Sequence, residues 1–347
     1  MATVSRLSVQ NVRSHTVFET ELSPNVSIIT GGNGSGKTSL IEALYLVLRG
    51  TSFKGGDNDI LKTDTPWWKI DIIFNKEEKR SVSFDPTRPS LKKQFIVDSK
   101  KSGRLAQKQK YPAVLFEPED LRLLNGSPAR RRQFIDRFIS QLNPLYGATL
   151  RKYERALKQR NNLLKRFQVD NNQLFSWNIA LSEHGAYLIE QRIAFIEQIN
   201  QKLNDVYSEI AHTNDHISIH YSHTVVGNVS QKILAELEAH VERDKIIGST
   251  SVGPHRHDVL FEINHSPALS TASRGEVRTI VLALKFIEVD IVETLTGLKP
   301  LILLDDVFSE LDITRQKALS ERTKGYQIVM TSTHVVTTAG GFKEIKL

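Results

Sequence analysis

Apolar and polar residues alternate at the start of the chain, a pattern typical of strands with one buried face. The first apolar set is Val4, Leu7, Val9 and Val12, and the second is Phe18 and Leu22. We expect two strands here, joined by a turn at residues 13–15. Residues 26–29 form a short β-branched run that predicts a buried strand, and a glycine-rich turn and a helix over residues 40–48 follow it.

The middle of the chain changes to helical spacing. Between residues 130 and 210 the apolar positions recur every three or four residues. Residues 170–172 (Asp-Asn-Asn) interrupt this pattern and predict a turn. The expected structure is an antiparallel helical hairpin or small bundle, whose packed core explains the stripes without a cofactor. One stripe is Leu150, Tyr153, Leu157, Leu164 and Phe167, and the other is Ile189, Ile193, Ile196, Leu203, Val206 and Ile210.

Strand signals return after residue 249. Two late apolar runs, residues 301–304 and 327–330, predict buried parallel strands, and a helix is expected over residues 275–295. The fold class is therefore α/β, with a head assembled from both chain ends and an inserted helical arm. The predicted divisions are 1–118 for the N-terminal part of the head, 119–245 for the arm and 246–347 for the C-terminal part of the head.

The amino-acid composition excludes several kinds of functional site. With 39% hydrophobic and 24% charged residues, the 347-residue chain resembles ordinary globular proteins. The absence of cysteine excludes disulfides, thiolate metal sites and cysteine nucleophiles. We find no apolar run that could span a bilayer and no secretory signal pattern, so a cytoplasmic location is expected. The net charge of +7 is compatible with a nucleic-acid partner but does not establish one.

Residues 31–38 read GGNGSGKT and match a phosphate-binding loop, or P-loop, between a predicted strand and a predicted helix. Glycines let successive backbone N–H groups and the helix N-terminus face phosphate oxygens. Lys37 is expected to reach the β- and γ-phosphates of ATP, and the Thr38 hydroxyl to bind Mg²⁺. The predicted ATP-binding residues are Gly31, Gly32, Asn33, Gly34, Ser35, Gly36, Lys37 and Thr38.

A P-loop requires an acidic partner, and the strand predicted at residues 301–304 ends in one. Asp305 is expected to bind Mg²⁺, and Asp306 to polarise the attacking water. Together with Lys37 they form the predicted catalytic set. Four apolar residues followed by two acids would be weak evidence alone, but the P-loop makes the pairing specific.

Two further motifs resemble those of ABC-type ATPases. Ala272-Ser273-Arg274-Gly275-Glu276, before a long helix, resembles the signature motif, in which Ser273 and Gly275 would contact the ATP of a second protomer. A simple helix cap is the alternative interpretation. Ser309-Glu310-Leu311-Asp312 resembles the D-loop, with Asp312 as its acidic residue. Nucleotide would then hold a homodimer together.

Several segments together resemble the bacterial RecF proteins along nearly the whole chain. They are LFEPEDLRLLNGSPARRRQFID (residues 115–136), YERALKQRNNLLK (153–165), SWNIALSEHGAYLIEQR (176–192), GPHRHDV (253–259) and ASRGEVRT (272–279). The resemblance implies a head like those of structural-maintenance-of-chromosomes proteins with a short arm. It also implies an ATP-dependent dimer with slow, DNA-stimulated hydrolysis that binds gapped DNA without sequence preference in recombinational repair and replication restart. RecR and RecO are the implied protein partners.

Other residues are candidates of lower specificity. Arg13 resembles a phosphate-side arginine of related heads, and His334 resembles the histidine after the last strand that senses the γ-phosphate. Surface and loop roles are the alternatives. No glutamine occurs in residues 116–120, where ABC proteins place one near magnesium. His255 and His257 have a spacing that zinc could use, but a structural role is favoured.

Basic residues mark the candidate DNA contacts. The segment 88–110 is rich in lysine, and three arginines stand together at the base of the predicted arm. Solvated surface charge is the alternative interpretation for both. A small-molecule P-loop kinase would not need the signature and D-loop motifs, and the short arm argues against a head that serves a separate nuclease or coiled-coil partner. The candidate DNA contacts are Lys92, Lys93, Arg130, Arg131 and Arg132, with Lys100, Lys101 and Lys108 as additional lysines.

Overall fold

The computed structural model describes residues 3–75, 78–166, 168–224, 227–333 and 341–347. The chain divides into two compact units, one of residues 1–120 and 288–347 and the other of residues 121–287. The first unit thus joins both ends of the chain. The second unit extends beyond the predicted boundary at residue 245, because the strand at residues 259–263 pairs with the strand at 217–221.

The described residues of the first unit form two sheets and the helices that pack with them. Its strands are β1 (Val4–Val12), β2 (His15–Glu21), β3 (Val26–Thr30), β4 (Trp68–Phe74), β5 (Lys79–Phe84), β6 (Lys93–Val97), β7 (Lys100–Ser102), β8 (Ala113–Phe116), β12 (Leu301–Leu304), β13 (Ile328–Ser332) and β14 (Phe342–Lys346). Its helices are α1 (Lys37–Arg49), α2 (Asp57–Ile60) and α10 (Ile313–Arg322).

The strand order explains why distant segments meet. An antiparallel sheet has the order β2-β1-β4-β5-β6-β7, and a parallel sheet has the order β14-β3-β13-β12-β8. Residues from both sheets and from α1 form one hydrophobic core. The buried Gln327 amide joins the two sheets, since it accepts from Val4 N at 2.8 Å and donates to Val4 O at 2.7 Å and Ser23 O at 2.8 Å.

The second unit is mainly helical. Its helices are α3 (Pro128–Leu142), α4 (Pro144–Leu164), α5 (Asn171–Ala211), α6 (Val229–Ala239), α7 (Val241–Ile247) and α8 (Ala268–Thr271), and its strands are β9 (Ile217–Tyr221), β10 (Val259–Ile263) and β11 (Ser266–Pro267). The helix α9 (Arg274–Thr296) continues across residue 287 into the first unit. The strands form a sheet of order β11-β10-β9. Asp170 caps α5 at the predicted turn.

Buried ion pairs organise the second unit. Arg160 and Asp244 are both fully buried, with Nη1 2.7 Å from Oδ2, and Arg160 also donates to Asn178 at 2.7 Å. Arg192 binds Asp136 through two N–H groups at 2.8 Å each. Charges buried at this depth stabilise a fold only when every donor is used, as these largely are.

Within the described part of the chain, no helix combines the length and apolarity needed to cross a membrane.

Candidate functional site

The P-loop connects β3 to α1 as the sequence predicts. Gly36 has φ of +97°, and an added Cβ would lie 2.4 Å from His15 Nε2 and from Ser14 Oγ, so only glycine fits. Lys37 is the first residue of α1, and its Nζ donates to Gly31 O at 2.9 Å and Gly32 O at 3.0 Å. The lysine is therefore already placed inside the loop that would surround a phosphate chain.

Thr38 and Asp305 meet although 267 residues separate them. β13 is the only strand between β3 and β12, so all three strands place their carboxyl ends at one edge of the parallel sheet. Thr38 Oγ1 donates to Asp305 Oδ1 at 2.8 Å, and Thr331 Oγ1, from β13, donates to the same oxygen at 3.1 Å. A hydroxyl and a carboxylate are oxygen ligands of the kind that Mg²⁺ prefers.

The Asp305 carboxylate is strongly desolvated. It is buried, and burial raises its pKa above the usual value, although hydrogen bonds from Thr38 and Thr331 and the nearby Lys54 ammonium oppose this effect. Lys54 Nζ lies 3.8 Å from Asp305 Oδ2. A desolvated carboxylate beside a hydroxyl would gain from a divalent cation, so these residues fit a magnesium ion.

Asp306 adopts a left-handed conformation with φ of +51°. Its N–H donates to Thr331 Oγ1 at 2.7 Å, and its carbonyl accepts from Ser309 Oγ at 2.9 Å. Its buried Oδ1 has no hydrogen-bond partner among the described residues, and the same holds for Ser35 Oγ in the P-loop. Two orphaned polar atoms at one site indicate that it is built for a further polar group.

Arg13 lies at the same cleft and is held by Glu42. Its Nε and Nη2 donate to the two Glu42 oxygens at 3.0 and 2.9 Å, and Nη1 donates to Asp59 O. The hydrogen bond to Glu42 raises the pKa of Arg13. The cleft is lined by Arg13, Thr38, Ser39, Glu42, Phe53, Lys54, Glu117 and Glu119.

The sequence did not reveal four of the residues found here, namely Glu42, Lys54, Thr331 and Glu117. Glu42 could have been suspected, because it is a charged residue in the apolar run of α1 and lies four positions after Thr38. Glu117 occupies the segment that lacks the expected glutamine. No local motif distinguishes Lys54 or Thr331 from ordinary loop and strand residues.

The signature segment caps α9. Ser273 N donates to Glu276 Oε2 at 2.6 Å, and Glu276 N donates to Ser273 Oγ at 3.3 Å, which is the reciprocal cap of the alternative interpretation. Ser273 is nevertheless exposed. Asp312 caps α10 by accepting from Arg315 N at 3.0 Å. Their contact with a second protomer's nucleotide stays a prediction, and His334 lies outside the described residues.

The candidate DNA contacts separate into two groups. Lys92, Lys100 and Lys101 are exposed, as is Lys108. Lys93, by contrast, donates to Asp57 Oδ1 at 2.6 Å and to Gly50 O at 3.1 Å. Lys93 is therefore held by contacts within the protein, although the sequence assigned it to DNA binding.

The three adjacent arginines proposed as DNA contacts, at residues 130–132, also differ from one another. Arg131 is buried and donates to both Asp258 oxygens, at 2.8 and 2.7 Å, and to Leu124 O and Gly126 O. Arg132 is half-buried and donates to His257 O. Arg131 is thus a structural residue, which corrects its assignment as a DNA contact. Arg130 is half-buried at the N-terminus of α3.

His255 and His257 are structural as well. His255 Nδ1 is 2.7 Å from Tyr153 Oη, and His257 Nδ1 is 3.0 Å from Tyr221 Oη. Burial lowers the pKa of His255 to about 4 and that of His257 to about 3. The described residues contain no group of three or more potential ligands for a metal ion.

Comparison with known proteins places these features in context. A family profile described as an AAA domain matches residues 6–246. The chain is 31% identical over 336 residues to the DNA replication and repair protein RecF of Clostridium perfringens strain SM101, covering 96% of this chain and 93% of that protein. It is 34% identical over 338 residues to the protein of the same name from Streptococcus suis strain 05ZYH33, covering 95% and 92%.

Solved structures of RecF proteins are also similar to this chain. The structure described as the recombination mediator protein RecF-ATPrS in the RecFOR pathway matches with a TM-score of 0.88 and 28% identity, covering 99% of this chain and 96% of that one. The corresponding RecF-ATP structure has a TM-score of 0.86. A Smc head domain from Pyrococcus yayanosii, at 12% identity and a TM-score of 0.50 over 95% of this chain and 92% of that one, shares the fold.

Proposed function

Because the chain belongs to the RecF family of DNA replication and repair proteins, we propose that it is an ATP-dependent DNA-binding protein in which nucleotide closes a homodimer. The contact between Thr38 and Asp305 carries this proposal, since it joins the P-loop to the acidic strand end at one desolvated point. Membership of this family supports the further proposal that the protein acts in DNA repair at gapped duplexes, with RecR and RecO as partners.

Lys37, Thr38 and Asp305 would hold ATP together with Mg²⁺. Lys37 would exchange its bonds to Gly31 O and Gly32 O for bonds to phosphate oxygens, and Thr38 and Asp305 would supply magnesium ligands. Bound magnesium neutralises phosphate charge and orients the triphosphate. Asp306 has a buried oxygen that no described residue hydrogen-bonds, and it is the group that would polarise water. Slow hydrolysis, stimulated by DNA, is expected.

Dimerisation would use the signature segment and the D-loop, where Ser273 and Asp312 are exposed. Ser273 and Gly275 would contact the ATP of the partner, and Asp312 would lie at the same junction. A signature that acts in this way makes ATP part of the interface. The exposed lysines Lys92, Lys100 and Lys101 of two protomers would then contact DNA phosphates without sequence preference.

Sedimentation of two variants with ATP, with ADP and without nucleotide tests the proposal. Lys37→Ala should stay monomeric under all conditions, because the β/γ-phosphate contact is lost. Ser273→Arg should bind ATP normally at low protein concentration and yet fail to dimerise. If Ser273→Arg lost binding and dimerisation together, Ser273 would act on its own protomer's nucleotide. If Lys37→Ala formed a dimer as tight as the wild type, the ATP-closed dimer would be refuted.

A gel shift on gapped duplex DNA tests the second half of the proposal. Affinity should be higher with ATP than with ADP, since only the dimer would align two sets of lysines. Equal affinity with both nucleotides at every salt concentration would contradict ATP-dependent DNA binding.

A further inference from the structure

Two cations at the nucleotide cleft come from separate segments of the chain. Arg13 lies in the turn between β1 and β2, and Lys54 lies in the loop between α1 and α2. Both line the cleft that also contains Thr38. Neither segment is part of the P-loop.

Glu42 is connected to both segments. It binds Arg13 through both carboxylate oxygens and accepts a hydrogen bond from Ser52 Oγ. Ser52 Oγ in turn accepts from Lys54 N at 2.9 Å and from Gly55 N at 3.2 Å, which fixes the backbone that carries Lys54. One carboxylate therefore organises both basic loops.

The position of Glu42 suits this role. It is 1% exposed, and it lies four residues after Thr38 on α1, so the two side chains share a helix face. A buried carboxylate is costly unless it is paired, which makes the pairing with Arg13 strong and directional. The arginine backbone is fixed as well, because Arg13 N donates to Ile60 O at 2.8 Å.

The Arg13 guanidinium keeps donors in reserve. It has five N–H groups, of which Glu42 takes two and Asp59 O takes one. One N–H on each terminal nitrogen is left beyond these bonds. The same guanidinium can therefore stay on Glu42 and still donate to a phosphate oxygen.

We propose that Glu42 is a positioning residue that holds Arg13, and through Ser52 also Lys54, toward the terminal phosphate of a bound nucleoside triphosphate. This inference rests on the proposed nucleotide site and adds to it a buried carboxylate that itself never touches the nucleotide. Glu42 thereby sets the preference for ATP over ADP, since only ATP carries the phosphate that the two cations face.

The ratio of ATP to ADP affinity in the full-length protein tests the proposal. Glu42→Gln keeps the shape and the Ser52 contact but weakens the hold on Arg13, so the ratio should fall about tenfold, as expected for loss of one charge-assisted hydrogen bond. Arg13→Ala should give a similar fall, and the double variant should fall no further, because both changes remove the same interaction. Fluorescent ATP and ADP analogues supply the measurement.

Glu19→Gln is the matched control. It weakens the ion pair of Glu19 with Arg6 in the same unit, at 3.1 Å, where neither residue lines the cleft, and should leave the ratio unchanged. A purely structural Glu42 would lower both affinities together and also leave the ratio unchanged, which would overturn the proposal. So would a higher ratio, which would mean that Glu42 only repels phosphate.

Two outcomes separate this inference from the function on which it rests. If the wild type bound neither nucleotide, the proposed function itself would fail. If Arg13→Ala lowered the ratio and Glu42→Gln did not, only the role of Glu42 would be refuted. Should Glu42→Gln fail to fold, Ser52→Ala tests the Lys54 branch alone, with a fall of about threefold expected and an unchanged ratio counting against the proposal.

Discussion

The Asp305 carboxylate should make the nucleotide-free protein less stable than it could be. Asp305→Asn removes a charge that is 3% exposed. Its ion pair among the described residues is with Lys54, whose Nζ is 3.8 Å away and whose side chain is 41% exposed. Asparagine Oδ1 can still accept from Thr38 and Thr331. The substitution therefore isolates the contribution of the charge.

Three contributions to the free energy of unfolding change in Asp305→Asn. Desolvation of a buried ion costs several kcal/mol. Weakening two charge-assisted hydrogen bonds to neutral ones loses about 1 kcal/mol each, and the half-exposed Lys54 pair contributes less than about 1 kcal/mol. Desolvation should win by about 1–2 kcal/mol, in agreement with the raised pKa of Asp305. The first unit should then melt roughly 2–8 °C higher.

Thermal unfolding in EDTA without nucleotide measures this gain. A second measurement adds Mg·ATP in place of EDTA. At a hundredfold excess of Mg·ATP over its dissociation constant, the free energy of unfolding of the wild type should rise by about 2.7 kcal/mol, and that of Asp305→Asn should not. Asp312→Asn is the control, because Asn and Asp are equivalent helix N-caps and Asp312 is exposed. A nucleotide-free Asp305→Asn protein that melts below the wild type would refute the reasoning.

Three further predictions follow from the site and the second unit. Asp306→Asn should bind ATP and dimerise but turn over at least about tenfold more slowly in a phosphate-release assay, and normal turnover would move water activation elsewhere. Lys92→Glu with Lys100→Glu should flatten the salt dependence of DNA affinity by on the order of one unit of slope per lost contact, and an unchanged slope would remove both from the DNA site. Burial lowers the folded-state pKa of His255 and His257, so the unfolded chain takes up protons first as the pH falls. Denaturant unfolding should therefore show stability falling by roughly 2 kcal/mol for each histidine between pH 7 and pH 5, and no change would contradict their burial as neutral side chains.

The sequence predicts where the P-loop and the acidic strand end lie, because each is set by a local motif or by the end of a strand. The P-loop spacing fixes Lys37 and Thr38 on one turn, and the acidic strand end places Asp305 at the same sheet edge. Glu42 and Lys54 act through contacts between loops, and loop contacts leave no periodic signal. The head's assembly from both chain ends was also predictable from the two separated strand–helix patterns.

The basic clusters show where composition fails. Three adjacent arginines look like one charged surface, but helical periodicity places Arg131 on the face of Phe134, Ile135 and Phe138, which is buried. The boundary at residue 245 is misplaced for a related reason. The strand β9 is only five residues long, so its pairing with β10 could not be recognised from the sequence.

The strand β3 has consequences for the order in which this protein can fold during synthesis. Both of its neighbours, β13 and β14, come from residues after 327, whereas β3 itself ends at Thr30. The P-loop therefore cannot be fixed at its sheet edge until nearly 300 residues have been made after it. Pairings this distant are slow to form, while the second unit lies within one continuous stretch and can fold first. A ribosome stalled before residue 327 would carry a folded second unit and a P-loop that cannot yet hold nucleotide.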